Sequence, residues 1–513
     1  MKPDLPIDSH LPRICDELSQ NGRLVLIAEP GAGKTTRVPP AILDRVDSDG
    51  GQVLLLQPRR VAALSAATRI ATERDGDVGG EVGYQVRFER RLSSSTRVRV
   101  VTTGILLREL QRDPFLSDVA CVIFDEFHER SLESDLCLSL VDEVRRDARP
   151  ELSVLVMSAT LDAKPISKFL DDAPVVEVEG RPYPLEISYR PRALRDPIEL
   201  HVRAALEETW SERKGNALVF LPGIGAIRNC ERELGGFAAK TGAEICCLYG
   251  SQSLDEQARI LRPSPTSRRV ILSTNVAETS LTIECVDLVV DSGLVRELIS
   301  DPRVGVDRLE TNRVSQHSAE QRAGRAGRLG PGRVVRLWSA AEQATLAEQT
   351  TPEVRRVDLA AAVLQLKAWG LAKPQDFRWF EPPSGESIER AVRLLEQLGA
   401  TEAGDGAIGE IGHALLRFGC HPRIARVLYE ACHNGFPEDG ARIAALLDER
   451  DFLSWIGEDR DASGLRPDST SPPPSRTSRR HNTSDGIGLS PLASRSSPIQ
   501  ERKSRSSSSA AIL

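Results

Sequence analysis

The sequence predicts an α/β protein. Two tandem doubly wound domains with parallel sheets come first, then a small helical module and a disordered tail. Three observations carry this. Short runs rich in Val, Leu and Ile recur at helix-length intervals, they divide into two sets at a proline-bearing segment, and the pattern becomes helical from about residue 352. Uninterrupted apolar runs of this kind suit strands buried on both faces, and strand–helix alternation suits a parallel sheet.

In the first set the runs are LVLIAEP (24–30), VLLLQP (53–58), VRVVTTG (98–104), CVIFDE (121–126), SVLVMSAT (153–160) and PVVEVEG (174–180), with helix-like segments such as VAALSAATRIATE between them. RPYPLE (181–186) reads as a linker. The second set is EISYR, NALVFLPG (216–223), EICCLYG (244–250), RRVILSTN (268–275), VDLVVDSG (286–293) and GRVVRLWS (332–339). Two alternating segments around Asp301-Pro302 predict a β-hairpin over 294–314. From 352 onward, EVRRVDLAAAVLQLKAWG, SIERAVRLLEQLGA, HALLRFG, HPRIARVLYEACHNG and ARIAALLDERDFLSWIG follow helical spacing. The expected divisions are 1–180, 185–350, 351–455 and a Ser/Arg-rich tail over 460–513, which cannot bury enough surface to offset its ordering entropy.

Composition narrows the class. Hydrophobic content of 40% and charged content of 27% are those of a globular chain, and no apolar run reaches the roughly 20 residues that span a bilayer. The opening MKPDLPIDSHLPRI carries early acids and no apolar core, so a secretory signal is not expected. Nine cysteines occur without a C-x-x-C pair, which suits reduced thiols and a cytoplasmic location rather than a zinc site or disulfide framework. Net charge is −7, against indiscriminate polyanion binding but silent about a local nucleic-acid track. From Arg460 onward nine basic residues face four acidic ones, a balance compatible with weak RNA contact or with no function.

The first chemical signal is Ala28-Glu29-Pro30-Gly31-Ala32-Gly33-Lys34-Thr35, a glycine loop between an apolar run and a helix start. That arrangement wraps a triphosphate: backbone N–H groups close on the phosphates, Lys34 meets the β/γ oxygens, and the Thr35 hydroxyl holds Mg²⁺. Ala28 departs from the glycine usual at the first position. The second signal is Asp125-Glu126 at the end of CVIF. Phosphoryl transfer needs a metal-orienting carboxylate and one that activates water, and Asp125 and Glu126 suit those roles. An ordinary glycine loop and a surface acidic pair are the plain alternatives.

Asp125-Glu126-Phe127-His128-Glu129-Arg130 resembles motif II of the DEAH/RHA branch of superfamily 2 helicases, with Phe127 where the name-giving Ala stands; the DEFHERSL form resembles the bacterial HrpB subgroup. GAGKTT (31–36), QPRRVAA (57–63), VTTGIL (101–106), SAT (158–160), LVFLPG (218–223), STNVAETSLTI (273–283) and QRAGRAGR (321–328) fall in the family's order. The resemblance covers roughly 1–452 and implies two RecA-like domains, then a winged helix and the start of a ratchet domain. It also implies a nucleotide, ATP or another NTP, bound with Mg²⁺ between the RecA-like domains. Gly31, Ala32, Gly33, Lys34, Thr35 and Thr36 would bind the phosphates. Gln321 would position the hydrolytic water, with Arg325 and Arg328 as arginine fingers. His128, Ser158 and Thr160 would couple hydrolysis to domain movement. Arg69 matches the residue that stacks on the adenine, and Leu261 takes the opposite position, usually aromatic.

RNA contacts implied by the same resemblance are Arg59, Arg60, Thr102, Thr103, Gly104, Gly223, Thr274 and Asn275, residue types that grip phosphate without reading sequence. The implied activity is an ATP-dependent RNA helicase acting on single-stranded RNA or a tailed duplex as a monomer. Alternatives are an RNA-stimulated ATPase that clamps or remodels ribonucleoprotein, or a helicase acting on DNA. Chains of this kind continue well beyond the point where this one turns Ser/Arg-rich. The ratchet part is therefore expected to be incomplete, through a naturally short chain or a frame change near 455–465, and the coupling of hydrolysis to unwinding stays open.

Overall fold

The computed structural model describes residues 4–448 except 30, 47–49, 160–161, 180–182, 194, 263–266, 279–282, 302–305, 329 and 403–405. The expected tail lies outside the described residues, as does Thr160.

The first sheet is built from β1 (Arg23–Ala28), β2 (Gln52–Gln57), β3 (Val82–Val86), β4 (Glu89–Arg91), β5 (Val98–Thr102), β6 (Val119–Phe124), β7 (Ser153–Ser158) and β8 (Val175–Val178). Its order is β4-β3-β5-β2-β6-β7-β1-β8, parallel throughout except that β4 pairs antiparallel with β3. Successive side chains point to opposite faces, so the apolar runs feed two cores. Leu24, Leu26, Val53 and Leu55 lie in one; Val25, Ile27, Leu54 and Leu56 lie in the other.

β9 (Leu185–Tyr189), β10 (Asn216–Phe220), β11 (Glu244–Leu248), β12 (Arg269–Ser273) and β13 (Val286–Asp291) begin the second domain. The expected hairpin follows as β14 (Leu294–Asp301) and β15 (Val306–Arg313), pairing antiparallel with Leu298 opposite Leu309. β16 (Gly332–Arg336) completes a parallel sheet of order β11-β12-β10-β13-β16-β9. Leu185, read from the sequence as part of the linker, opens the edge strand of this sheet.

The last described part holds helices Ala360–Ala368, Gly385–Gln397, Glu410–Phe418, Pro422–His433 and Pro437–Asp448. A single antiparallel bridge, Thr401–Ile408, stands where a wing is expected. Val363, Leu366, Trp379 and Leu395 join the same core as Val25, Ile27 and Phe127, so the helical part packs on one face of the first sheet. The sequence did not disclose the β3–β4 hairpin. VGYQV contains a glycine and ERR is wholly charged, so neither has the apolar run that marked the other strands.

Candidate active site

Carboxyl ends of parallel strands are where ligands gather in a doubly wound sheet. The glycine loop follows β1, Gln57 closes β2, Asp125-Glu126 follows β6, and Ser158 closes β7. Because β7 lies between β6 and β1, and β2 lies on the other side of β6, these four chain ends converge.

Gly31 and Gly33 have φ of 93° and 98°, a region that residues with a Cβ enter only at a cost. A Cβ on Gly33 would come 2.7 Å from Leu5 Cδ1, so the N-terminal segment packs directly beneath the loop. Ile7 N donates to Ala32 O at 3.1 Å, tying the two together. Helix Lys34–Leu43 starts at Gly33 without a side-chain cap. Its first N–H groups are therefore open to an anion. Thr36 lies half-buried in its first turn.

Thr35 Oγ1 donates to Asp125 Oδ2 at 2.5 Å, and Gln57 Nε2 donates to the same oxygen at 2.6 Å. Lys34 Nζ stands 3.5 Å from Glu126 Oε1. Lys34, Asp125 and Glu126 are 3%, 4% and 9% exposed, so these charges act with little solvent between them. Burial and the adjoining Glu126 carboxylate hold Asp125 above the usual carboxylate range. Burial also favours neutral Glu126, but the cationic Lys34, Arg325 and Arg328 outweigh it and hold Glu126 below that range. The two carboxyls are thereby pushed apart, as suits one metal-facing and one water-facing group.

His128 Nδ1 accepts from Ala159 N at 3.4 Å and lies 3.5 Å from Glu126 Oε2. An acceptor nitrogen carries no proton, and burial lowers the His128 pKa, so the ring is neutral and its contact with Glu126 is not an ion pair. Its Nε2, Gln321 Nε2 and Arg328 Nε are buried without a hydrogen-bond partner among the described residues. Unsatisfied polar atoms at the meeting of two domains fit a polar, charged ligand. With the open helix start and the Thr35–Asp125 pair, they fit a magnesium-bound triphosphate.

The second domain supplies helix Gln316–Ala323 and the turn after it, which carry Gln321, Arg325 and Arg328. Burial and Arg328 beside it hold Arg325 below the usual guanidinium range, and burial holds Arg328 at about 10; both remain cationic at neutral pH. Arg325 Nε donates to Glu278 O at 2.9 Å. Arg322, which the sequence did not separate from its neighbours, is fully buried; it bonds Glu278 at 2.8 Å and Asp291 at 2.9 Å. These pairs anchor the helix that precedes Arg325 and Arg328, the two second-domain cations whose charges help hold Glu126 ionised.

A cleft of 440 Å³ between the domains has Arg59, His128, Ser158, Asn275, Arg296 and Gln321 among its lining residues, but none of Arg60, Thr102, Thr103, Gly104, Gly223 or Thr274. Arg59 is engaged by protein: Nη1 donates to Asn275 O at 2.8 Å across the domains, and Nη2 lies 3.3 Å from Glu129. Thr103 Oγ1 donates to Glu133 at 2.8 Å, and Thr274 Oγ1 accepts from Val276 N at 3.5 Å. Gly223 packs against Arg296 of β14, while Arg60 and Asn275 are exposed. Arg69 is exposed and pairs with Glu73 at 2.5 Å, on a helix that touches the one carrying Leu261. Sequence reasoning passed over Gln57, although it opens QPRRVAA. It also passed over His317, whose ring lies 6.1 Å from that of His128 and which no motif marks.

Two doubly wound domains, a glycine loop in the first and arginines from the second converging on its carboxylates, define the tandem RecA-like class. The chain belongs to the DEAD/DEAH box helicase family. Residues 12–169 match the model described as DEAD/DEAH box helicase, and 200–330 match the helicase conserved C-terminal domain. It is 42% identical over 356 residues to the Escherichia coli (strain K12) "ATP-dependent RNA helicase HrpB", which covers 69% of this chain and 43% of that protein. It is 36% identical over 467 residues to the Haemophilus influenzae "ATP-dependent RNA helicase HrpA homolog", covering 90% of this chain and 36% of that one. The crystal structure of Escherichia coli DEAH/RHA helicase HrpB superposes with a TM-score of 0.80 at 40% identity, over 87% of this chain and 57% of that one. The chain thus spans about half the length of the relatives it matches.

Proposed function

We propose that the chain is an NTP-dependent RNA helicase of the DEAH type, hydrolysing ATP between its two RecA-like domains and converting closure and reopening into movement along RNA. The observation that carries this is the composite site, in which Lys34 and Glu126 of one domain meet Arg325 and Arg328 of the other. Gly31 to Thr36 cradle the phosphates, Lys34 neutralises the β/γ oxygens, and Thr35 and Asp125, with Glu126 beside them, hold Mg²⁺. That metal supplies charge neutralisation at the transferring phosphoryl group. Gln321 positions the attacking water and Glu126 takes its proton, and Arg325 and Arg328 stabilise the charge that develops as the bond breaks. His128, against Ala159, connects the water-activating turn to the Ser158–Thr160 segment.

Single-stranded RNA runs along Arg59, Arg60, Thr102–Gly104, Gly223, Thr274 and Asn275, and Arg69 stacks on the adenine of the bound nucleotide. Boundaries at 1–180, 185–350 and 351–455, a monomeric state and a cytoplasmic location belong to the same proposal. The nine unpaired cysteines support the last. No described helix is long and apolar enough to cross a membrane. The same site would drive a clamp that hydrolyses ATP without separating strands. The test is ATP turnover by the purified chain with and without single-stranded RNA, with single-stranded DNA as competitor. Stimulation by RNA supports the proposal, and turnover indifferent to RNA contradicts it.

A further inference from the structure

The turn that presents Glu126 is held from outside the two RecA-like domains. Glu126 and Arg130 bracket a short turn, Phe127–Glu129, and both have left-handed φ, 50° and 51°. A non-glycine residue in this region is strained, and persists only where its surroundings over-determine it. The first domain supplies part of that restraint: Phe127 is buried with its ring 6.2 Å from Phe124. The rest comes from the segment before helix Gly385–Gln397. Phe380 stacks edge-on against Phe127 at 5.3 Å and against Phe169 at 5.2 Å.

At the far side of the turn, the Arg130 guanidinium lies over the Phe380 ring at 4.5 Å. It also bonds Asp135 at 2.9 Å and Glu381 at 2.7 Å. The strap is itself anchored: Phe380 N donates to Ser139 Oγ at 3.1 Å, and Glu381 pairs with Arg355 at 2.5 Å. A second segment of the helical part, the short helical turn Glu353–Arg355, meets the turn's exit. Glu353 N donates to Arg130 O at 3.2 Å, and Glu353 Oε2 accepts from Leu132 N at 2.9 Å. Both ends of the strained turn are therefore gripped by residues beyond position 350.

We propose that Phe380 and Glu381 are positioning residues for Glu126: they lock Phe127 and Arg130, so the hydrolytic carboxylate is presented correctly only when the helical part is docked. A carboxylate displaced by about 1 Å loses much of its advantage for the attacking water, while the glycine loop, which grips the nucleotide, is unaffected. The inference rests on the catalytic role given above to Glu126.

The experiment measures RNA-stimulated ATP turnover in the full chain carrying Glu126→Gln, Phe380→Ala, Phe380→Tyr, Glu381→Gln or Trp369→Phe. Trp369 Nε1 bonds Glu143 at 3.1 Å, so its variant removes one contact of the helical part far from the turn while Phe380 and Glu381 stay in place. The expected result is a kcat for Phe380→Ala at least tenfold below the parent, with KM for ATP within twofold. Phe380→Tyr restores most of the rate, Glu381→Gln falls between, and Trp369→Phe matches the parent. Unchanged kcat in Phe380→Ala, a change confined to KM, or an equal loss in Trp369→Phe overturns the inference. Should Phe380→Ala not fold, Glu381→Gln decides: a lowered kcat with KM for ATP within twofold supports the inference, and an unchanged kcat overturns it. An active Glu126→Gln variant would overturn the underlying role of Glu126, whatever the strap variants do.

Discussion

Lys34 Nζ lies 3.5 Å from Glu126 Oε1, an ion pair shielded from solvent at the junction of glycine loop and acidic turn. The Lys34 ammonium favours the charged form of Glu126 where solvent screens little. Removing the ammonium leaves Glu126 and Asp125 buried side by side without their nearest cation. Lys34→Ala should reduce RNA-stimulated ATP turnover by about 10²–10³, the scale of losing one preorganised charge-stabilising group. Turnover within threefold of the parent contradicts the assignment.

Arg328→Ala should leave nucleotide binding by the first domain intact. Its expected effect is on kcat, a fall on the order of 10³, because an arginine finger acts on charge that exists only as the phosphoryl group transfers. Fluorescent-nucleotide titration alongside steady-state turnover separates the two quantities. Equal loss of affinity and rate would make Arg328 a ground-state contact.

Arg322 tests structure rather than chemistry. Arg322→Met strands the buried Asp291 carboxylate and Glu278 without their cation, a loss of about 3–5 kcal/mol where one partner of a buried pair is removed. The midpoint of urea unfolding of the second domain should drop accordingly, and Arg322→Met with Asp291→Leu should recover part of it. An unchanged midpoint in the single variant contradicts the structural role.

Gly33→Ala places a methyl 2.7 Å from Leu5 Cδ1 at a φ of 98°. Strain of about 1–3 kcal/mol at the phosphate loop should weaken nucleotide binding by roughly tenfold or more. Isothermal titration with a non-hydrolysable ATP analogue checks it; unaltered affinity would mean the loop adapts without cost.

Much of this architecture was legible because buried parallel strands write themselves as continuous apolar runs. β1, β2, β5, β6 and β7 all appear that way, each with its motif at the carboxyl end. Lys34, Thr35, Asp125 and Glu126 could be named in advance, since phosphate chemistry asks for their types at those strand ends, whereas Arg325 and Arg328, in the turn after helix Gln316–Ala323, were named only through the resemblance of QRAGRAGR. What sequence could not supply were contacts between distant segments. The Arg59 contact with Asn275 O and the Phe380 grip on Phe127 depend on how domains pack, and no local pattern encodes that. Arg322 and Arg325 stand three residues apart in one repeat, yet the first pairs with the Glu278 and Asp291 carboxylates while the second bonds the Glu278 backbone carbonyl.

Strand separation on a 3′-tailed RNA duplex, with ATP, comparing the parent chain with Glu126→Gln, tests the central claim most directly. The parent should release the displaced strand and hydrolyse ATP, while Glu126→Gln should bind the tail and do neither. Release by both chains alike, or ATP consumption by the parent with the duplex left intact, would contradict a helicase driven from this site.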